Sequence, residues 1–546
     1  MFSLPESVMK LLGTNYVPSE DESRQIKDCL TVLQEENSGG WSRPVAAQVV
    51  RELKALLSHA RRLPPEIVAM IFAFCLPLDA LPRATPLDAP LLLGHICSTW
   101  RQILHSTPRL WTSLAVHLPV TTVYWDELVE EVLAVMHTWL ERSQPFPMTI
   151  AFIDHGRFPP NCLTAIVDTL TSHSHRWRHM SFYVSSRCYS SLFKFSHAML
   201  SSLESLTIHD NLENIRGQHS PVLYLPSAPR LRYLSFTTQW FSSEHIIADW
   251  DRLTELSLLY EPNHYRMPLH NGFLKVLDRC HNITTCSLGI GIPVGDDALE
   301  PDRIITLHHL HTLRIRRLWP ESITGGFLDA LVLPQLKALE IDGSALFVWT
   351  ATPWHDGQFP LLLSRSGCQL ERLSVKGVHF SEDDLLDCLT HTPSLKHLAY
   401  SPCPRWESVF EILYALTPMH LDSQSAPGLK NLESLQLESG IGAASSLDIF
   451  VRMLASRWSS RSHEAGIARL CRLDLPFIAV PVGIPPSHED VETFKKRLQD
   501  CAGGDPRLVV TVTVERPYQP VYLQLPGSTN NLHPNPVGGY ASWLSV

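Results

Sequence analysis

Twenty-seven histidines are spread over the 546 residues, and two groups of them stand close enough together to raise metal or proton-transfer chemistry. One is His173, His175 and His179; the other is His308, His309 and His311. A metal site needs three or four converging donors, usually with a thiolate or carboxylate among them. Neither group comes with such a cluster, and His309 and His311 flank Leu310 where the chain enters a strand pattern, so turn or surface histidines account for them more simply. Glu382-Asp383-Asp384 follows Ser381 and reads as a helix start with acids in the first turn, not as a paired-carboxylate site. The twelve cysteines form no CxxC pair, and the nearest approach, Cys280 and Cys286, is too wide for a zinc knuckle. Gly289 and Gly291 are a lone G-x-G that a turn explains, and neither a phosphate loop nor a G-x-S-x-G elbow occurs. The residues therefore predict no enzyme, no metal and no cofactor.

What remains is a chain built to bind. Forty-four per cent of it is hydrophobic, enough for a globular core. With 45 basic and 55 acidic residues the net charge is −10, the wrong sign for a nucleic-acid partner. Scattered thiols suit a reducing compartment, cytoplasmic or nuclear. The first twelve residues contain Glu6 and lack the basic start and apolar run of a signal peptide. No apolar stretch is long enough to span a membrane, and without secretion the glycosylation pattern Asn282-Ile283-Thr284 carries no meaning.

The elements that would position a binding surface begin at residues 61–111. Leu63 precedes Pro64 and Pro65, which suit the first turn of a helix. Glu66 complements its dipole, and Ile67, Ile71 and Phe74 recur at helical spacing with Phe72 beside them. That helix should end near Cys75-Leu76-Pro77. A second apolar period runs through Leu92, Ile96, Trp100 and Ile103, and Pro108 opens a short turn presenting Leu110 and Trp111. Three short helices bury too little surface to stand alone, so one face should seek a partner.

Four blocks in this order, Leu63-Pro64-Pro65-Glu66-Ile67, Ile71-Phe72, Ile96-Cys97-Ser98-Thr99-Trp100-Arg101 and Pro108-Arg109-Leu110-Trp111, resemble the F-box, most closely the version in the expanded F-box families of mushroom-type fungi. The resemblance implies docking onto a Skp-type adaptor, and through it a cullin, by Leu63, Pro64, Pro65, Ile67, Ile71, Phe72, Ile96, Cys97, Trp100, Leu110 and Trp111. Pro77, Pro82, Pro86 and Pro90 lengthen the loop between the first two helices, a departure that bears on the loop's own contacts. Upstream, residues 1–20 read as irregular. Ile26, Leu30 and Leu33 mark a helix over 24–35, Ser38-Gly39-Gly40 breaks it, and Pro44 opens another through Val45, Val49, Leu53 and Leu56 to about Ala60. These helices should pack on the F-box-like stretch.

Downstream, an apolar-x-x-apolar-x-apolar frame recurs. It begins at Trp177/Met180/Phe182, Leu203/Leu206/Ile208, Leu231/Leu234/Phe236 and Leu253/Leu256/Leu258, and continues through Ile283, Leu310, Leu336, Leu370, Leu395 and Leu432 to Leu470/Leu473/Leu475. Steps run from 22 residues (Leu231 to Leu253) to 38 (Leu432 to Leu470), against about 20–29 for a leucine-rich repeat. Positions two apart fit a strand with one buried face. Helical patterns lie between frames, at Leu163–Leu170, Phe273–Leu277, Phe327–Leu331, Leu385–Leu389 and Phe450–Leu454. The expectation is an α/β chain: a small helical F-box followed by an irregular leucine-rich-repeat solenoid of parallel strands and outer helices, whose stacked units share one core. The boundaries are 1–60 for the helical lead, 61–115 for the F-box and 116–515 for the array, closed by a strand over Leu508–Val514. Residues 516–546, with several Pro, Gly and Asn and no period, are expected to form a mostly disordered tail. The resemblance implies a substrate receptor of a cullin-based ubiquitin ligase holding an unidentified protein substrate. Arg314, Arg316, Lys337 and Glu340 are the sort of strand positions that would meet it. A non-ligase interaction scaffold with an unused F-box is the alternative.

Overall fold

In the computed structural model the described residues are 4–35, 43–118, 125–154, 159–185, 189–193, 200–210, 222–225, 228–238, 246–260, 270–289, 304–316, 327–343, 358–378, 382–402, 410–417, 429–437, 444–464, 466–478 and 488–515. The Ser38-Gly39-Gly40 breaker, Gly291, Ser381 and the tail 516–546 lie outside them. The chain is α/β and divides into two compact units, one running to Met180 and the other beginning at Ser181.

The first unit opens with helices. Residues 1–20, irregular on sequence grounds, contain a short helix α1 (Glu6–Met9). Helix α2 (Glu20–Glu35) starts with a reciprocal capping box: the Ser19 N–H donates to Glu22 at 2.8 Å, and the Glu22 N–H donates to the Ser19 hydroxyl at 3.3 Å. With α3 (Arg43–Leu56) these helices bury Leu4, Val8, Ile26, Cys29, Leu30, Leu33, Leu53 and Leu56 in one cluster. Helix α4 (Pro65–Cys75) begins with proline in its first turn and ends where expected.

The second apolar period is not one helix. It splits into α5 (Leu91–Gly94) and α6 (Ser98–His105), because Cys97 is fully extended and its sulfur accepts the Trp100 N–H at 3.5 Å, which starts a new helix. Gly94 permits the close return: a Cβ there would meet the Leu104 side chain at 3.0 Å. A 3₁₀ turn, Pro108–Trp111, leads directly into strand β1 (Ser113–His117). The strand crosses the boundary placed at residue 115 and pairs in parallel with β2 (Met148–Ile153), Leu114 opposite Ile150 and Val116 opposite Phe152. The frame search missed both strands. β2 lacks the leading apolar residue, Pro147 standing three positions before Ile150, whereas Trp111, Leu114 and Val116 do fit the frame at β1, with Trp111 read instead as the end of the helical stretch. The proline-rich loop also has a place. Ala115 donates to the Pro82 carbonyl at 2.7 Å and Arg83 bridges to Ala115, covering backbone groups of β1 that would otherwise be open to another chain. Helices α7 (Trp125–Arg142) and α8 (Pro160–Ser172) follow β1 and β2, and the division between units falls within β3 (Trp177–Val184).

In the second unit the frames become a parallel sheet in register. Its strands are β4 (Ser205–Asp210), β6 (Tyr233–Thr238), β8 (Glu255–Tyr260), β9 (Thr285–Gly289), β11 (Thr312–Arg316), β13 (Ala338–Asp342), β14 (Arg372–Val378), β15 (His397–Pro402), β16 (Ser434–Leu437), β17 (Arg472–Ile478) and β18 (Val509–Glu515), neighbouring one another in that order. The middle frame residues face each other strand by strand: Leu206, Leu234, Leu256, Cys286, Leu313, Leu339, Leu373, Leu398, Leu435, Leu473 and Val510. The leading residues, from Leu203 to Leu470, are buried beneath them.

The connections are not all helical. Outer strands β5 (Leu223–Leu225) and β7 (Ile246–Ala248) pair in parallel, as do β10 (Ile305–Thr306) and β12 (Leu331–Val332). The helix expected over Phe327–Leu331 is therefore a turn entering a strand. Too few residues separate Phe327 from the next frame for two helical turns and a return. The other patterns form helices: His270–Leu277, Glu382–Thr390 and Ala444–Trp458. Two buried arginines, Arg176 and Arg457, and the half-buried Arg365 hold adjacent segments together by donating to carbonyls. Arg176 bonds Leu140 and Phe146, Arg365 bonds Leu328 and Leu331, and Arg457 bonds Leu416 at 3.1 Å and Leu429 at 2.8 Å.

Candidate docking surface

Helix α4 is apolar on two sides, and the fold uses one. Val68 and Phe72 are buried, and Phe72 meets Trp100 edge-on at 5.0 Å between ring centroids. The opposite side carries Ile67 and Ile71, each 41% exposed, with Met70 and Phe74, the last 82% exposed. Leu63, just before the helix, and Leu92 and Ile96, around α5, add further exposed apolar side chains, as do Leu78 and Leu87 in the loop. A monomer ordinarily covers such a run, so this exposed set is the candidate docking surface of the fold.

The residues singled out from sequence divide accordingly. Leu63, Pro64, Pro65, Ile67, Ile71 and Ile96 are exposed, while Cys97 and Trp100 are half-buried. Phe72, Leu110 and Trp111 are interior and cannot touch a partner directly. Trp111 donates from its indole to the Leu104 carbonyl at 2.9 Å, packs edge-on against Trp139 at 4.7 Å, and lies under the Arg142 guanidinium at 4.6 Å. Trp139 in turn donates to the Ser113 carbonyl at 3.0 Å. These aromatics tie the helical layer to α7 and β1. Met70 and Phe74 belong with the exposed set, and the signal for them was present: Leu63, Ile67, Met70, Ile71 and Phe74 follow one stripe of the helical period.

The other residues raised by sequence lie at turns, in the core or in an ion pair. Among the described residues no group of three or more His, Cys, Asp or Glu side chains is placed to hold a metal. His173 bonds the Ser172 hydroxyl and the Thr169 carbonyl, and His308 and His309 occupy the turn before β11. Cys280 and Cys286 are buried; burial pushes the Cys280 thiol up to about 12 and also raises that of Cys286, leaving both protonated and unreactive. Arg314 and Glu340, opposite each other on β11 and β13, satisfy one another at 3.0 Å. Among the described residues no helix is long and apolar enough to cross a membrane.

No protein-family model matches the chain, and no curated protein matches it. What fold and surface define is a class: an α/β protein with a long in-register parallel sheet and, at its N-terminal end, a helical layer whose leading helix shows an apolar face to solvent.

Proposed function

We propose that this chain is the substrate-receptor subunit of a cullin-based ubiquitin ligase: an F-box protein whose helical layer docks a Skp-type adaptor and whose sheet is a leucine-rich-repeat-like solenoid that holds a protein substrate. The observation that carries the reading is the exposed side of α4, with Ile67, Met70, Ile71 and Phe74 in water beside Leu63. Helix-in-groove recognition takes this form, a few apolar anchors at helical spacing entering a partner's cleft. The receptor needs no bond-making group of its own, because holding a substrate near a ubiquitin-charged enzyme acts through effective concentration. The parallel strands give the array a repeated surface for a partner chain, and no residue on it identifies the substrate.

A pull-down tests the reading. Wild-type protein should capture a purified Skp-type adaptor, and Leu63→Ala/Pro64→Ala should lose it while circular dichroism stays unchanged. A folded wild type that captures no adaptor refutes the reading and favours an interaction scaffold with an unused docking helix.

A further inference from the structure

We infer that the open edge of β18 is the seat of a segment of this same chain: Val521–Leu525 returns antiparallel along it, with Leu523 opposite Val512 and Leu525 opposite Val510. Strand β18 stands last in its sheet and, among the described residues, pairs with β17 alone. The Val509 N–H donates to the Cys471 carbonyl, just before β17, at 2.8 Å. Backbone groups of alternate residues in a strand point the same way. Thr511 and Thr513 therefore follow Val509 toward β17, and the N–H and C=O groups of Val510, Val512 and Val514 face away from it. A strand of seven residues without proline or a basic side chain offers such an edge to any extended chain. At β1 the equivalent groups are covered by Pro82 and Arg83.

The sequence says what covers β18. Residues 516–546 follow it directly, and one stretch of them departs from the tail's lack of period. Val521, Leu523 and Leu525 alternate with Tyr522 and Gln524, the pattern of a strand with one apolar face. Pro520 and Pro526, which cannot donate to a ladder, bound it on both sides.

The hydrophobic pattern sets the register. A turn over Arg516–Pro520 would set Gln524 opposite Val512, which is 9% exposed, and Pro526 opposite Val510, where a donor is needed. A turn longer by one residue, Glu515–Pro520, removes both faults at little added closure entropy. Leu523 then meets Val512, Leu525 meets the half-buried Val510, and Gln524 meets the exposed Thr511. Residues 510, 512 and 514, whose backbone faces the edge, lie opposite 525, 523 and 521 as the hydrogen-bonded pairs of an antiparallel ladder. Attachment six residues away gives this segment an effective concentration that favours it over a free strand. The array so closed ends on a strand flanked by prolines, which keeps copies of the chain from pairing edge to edge.

The experiment is hydrogen exchange, read by mass spectrometry at Val510, Val512 and Val514, on the full-length chain, on full-length Leu523→Pro and on the chain ending at Glu515. The three amides should exchange roughly tenfold or more slowly in wild type than in either variant, while β14 and β15 are unchanged. Under mild oxidation Thr511→Cys/Gln524→Cys should form a disulfide between those positions, found by peptide mapping, and Thr511→Cys/Leu525→Cys should form little. Equal exchange in wild type and Leu523→Pro overturns the inference, whether or not the shortened chain folds. Protection that persists in the shortened chain at twice its mass assigns the edge to a second copy and overturns it too. A preferred cross-link to position 525 overturns the register.

Discussion

Phe72 and Phe74 sit two residues apart on one helix, and the fold gives them opposite duties. Phe72 is fully buried against Trp100, whereas Phe74 is 82% exposed. Truncating a buried phenylalanine to alanine costs about 3–5 kcal/mol of stability, from lost transfer energy and the cavity left behind. Phe74→Ala removes a side chain the free protein hardly buries, so its unfolding midpoint should stay within error of wild type. Its cost should appear on binding. Burying a whole large apolar side chain contributes about 1.5–3 kcal/mol. On the proposed reading, scaled to the exposed four-fifths, Phe74→Ala should cost about 1–2.5 kcal/mol, a loss of roughly 5- to 70-fold in adaptor affinity. Ile71→Ala, with only two-fifths of its side chain left to cover, should lose less, about 0.6–1.2 kcal/mol. The assay is the unfolding midpoint and the adaptor Kd for all three variants. Phe74→Ala binding as tightly as wild type, with Ile71→Ala weakened, would refute the claim that exposure ranks the anchors. Phe74→Ala unfolding as early as Phe72→Ala would refute the placement of the two rings.

Arg457 is 1% exposed and donates to two carbonyls; Arg457→Leu takes the side-chain donor from the Leu416 carbonyl, while the Leu429 carbonyl keeps the Leu432 N–H at 3.2 Å, and should cost about 1–3 kcal/mol in denaturant unfolding. Gly94→Ala presses a methyl against Leu104 and should lower stability by about 1 kcal/mol or more, read as an earlier thermal midpoint. His105 and His397 are held below the usual histidine value, in both by burial first and then by nearby arginines, Arg142 and Arg101 for His105 and Arg372 for His397. A histidine with a lowered folded pKa is protonated more readily once unfolded, so its contribution is present above the unfolded value near 6.5 and is lost as pH falls below it. Unfolding midpoints at pH 7.5 and 5.5 should drop for wild type and drop less for His105→Gln/His397→Gln.

The strand positions were legible in the sequence because one rule, two apolar residues two apart with a third entering from the turn, repeats with each strand, and parallel pairing brings like positions face to face. Leu313 lies opposite both Cys286 and Leu339 for that reason. The rule fails where its leading residue is missing, as in β2, where Pro147 stands three positions before Ile150, and says nothing about what connects two strands. Phe327 and Leu331 have helical spacing in a segment with room only for a turn and a short strand. At the docking surface, composition identified α4 but not its exposed side, because Ile67, Val68, Ile71 and Phe72 are equally apolar. Trp100 decides between them by packing on Phe72 from another helix. Cys97 could not be read as a helix cap from residue type, since serine, threonine, aspartate and asparagine usually fill that place.

The buried tryptophan at the end of the helical layer bears on how such a receptor would work. Linking two binding surfaces raises the effective concentration of one partner near the other only if the connection spans the distance and keeps a productive geometry. A flexible linker after α6 would meet the first condition at the expense of the second. No such linker is present here: the 3₁₀ turn Pro108–Trp111 leads within two residues into β1. Trp111 is clamped by Leu104 behind, Trp139 at its edge and Arg142 over its face, while Trp139 reaches back to Ser113. The docking layer and the first strands therefore share one core, and a partner seated on α4 is held at a fixed angle to β1 and β2. On the proposed reading, Trp111→Ala should damage more than stability. A variant rescued by low temperature should still bind adaptor through α4, yet carry its first strands at a loosened angle and support slower ubiquitin transfer to substrate. Equal transfer rates by such a variant and wild type, at matched adaptor occupancy, would show that the rigid joint serves folding alone.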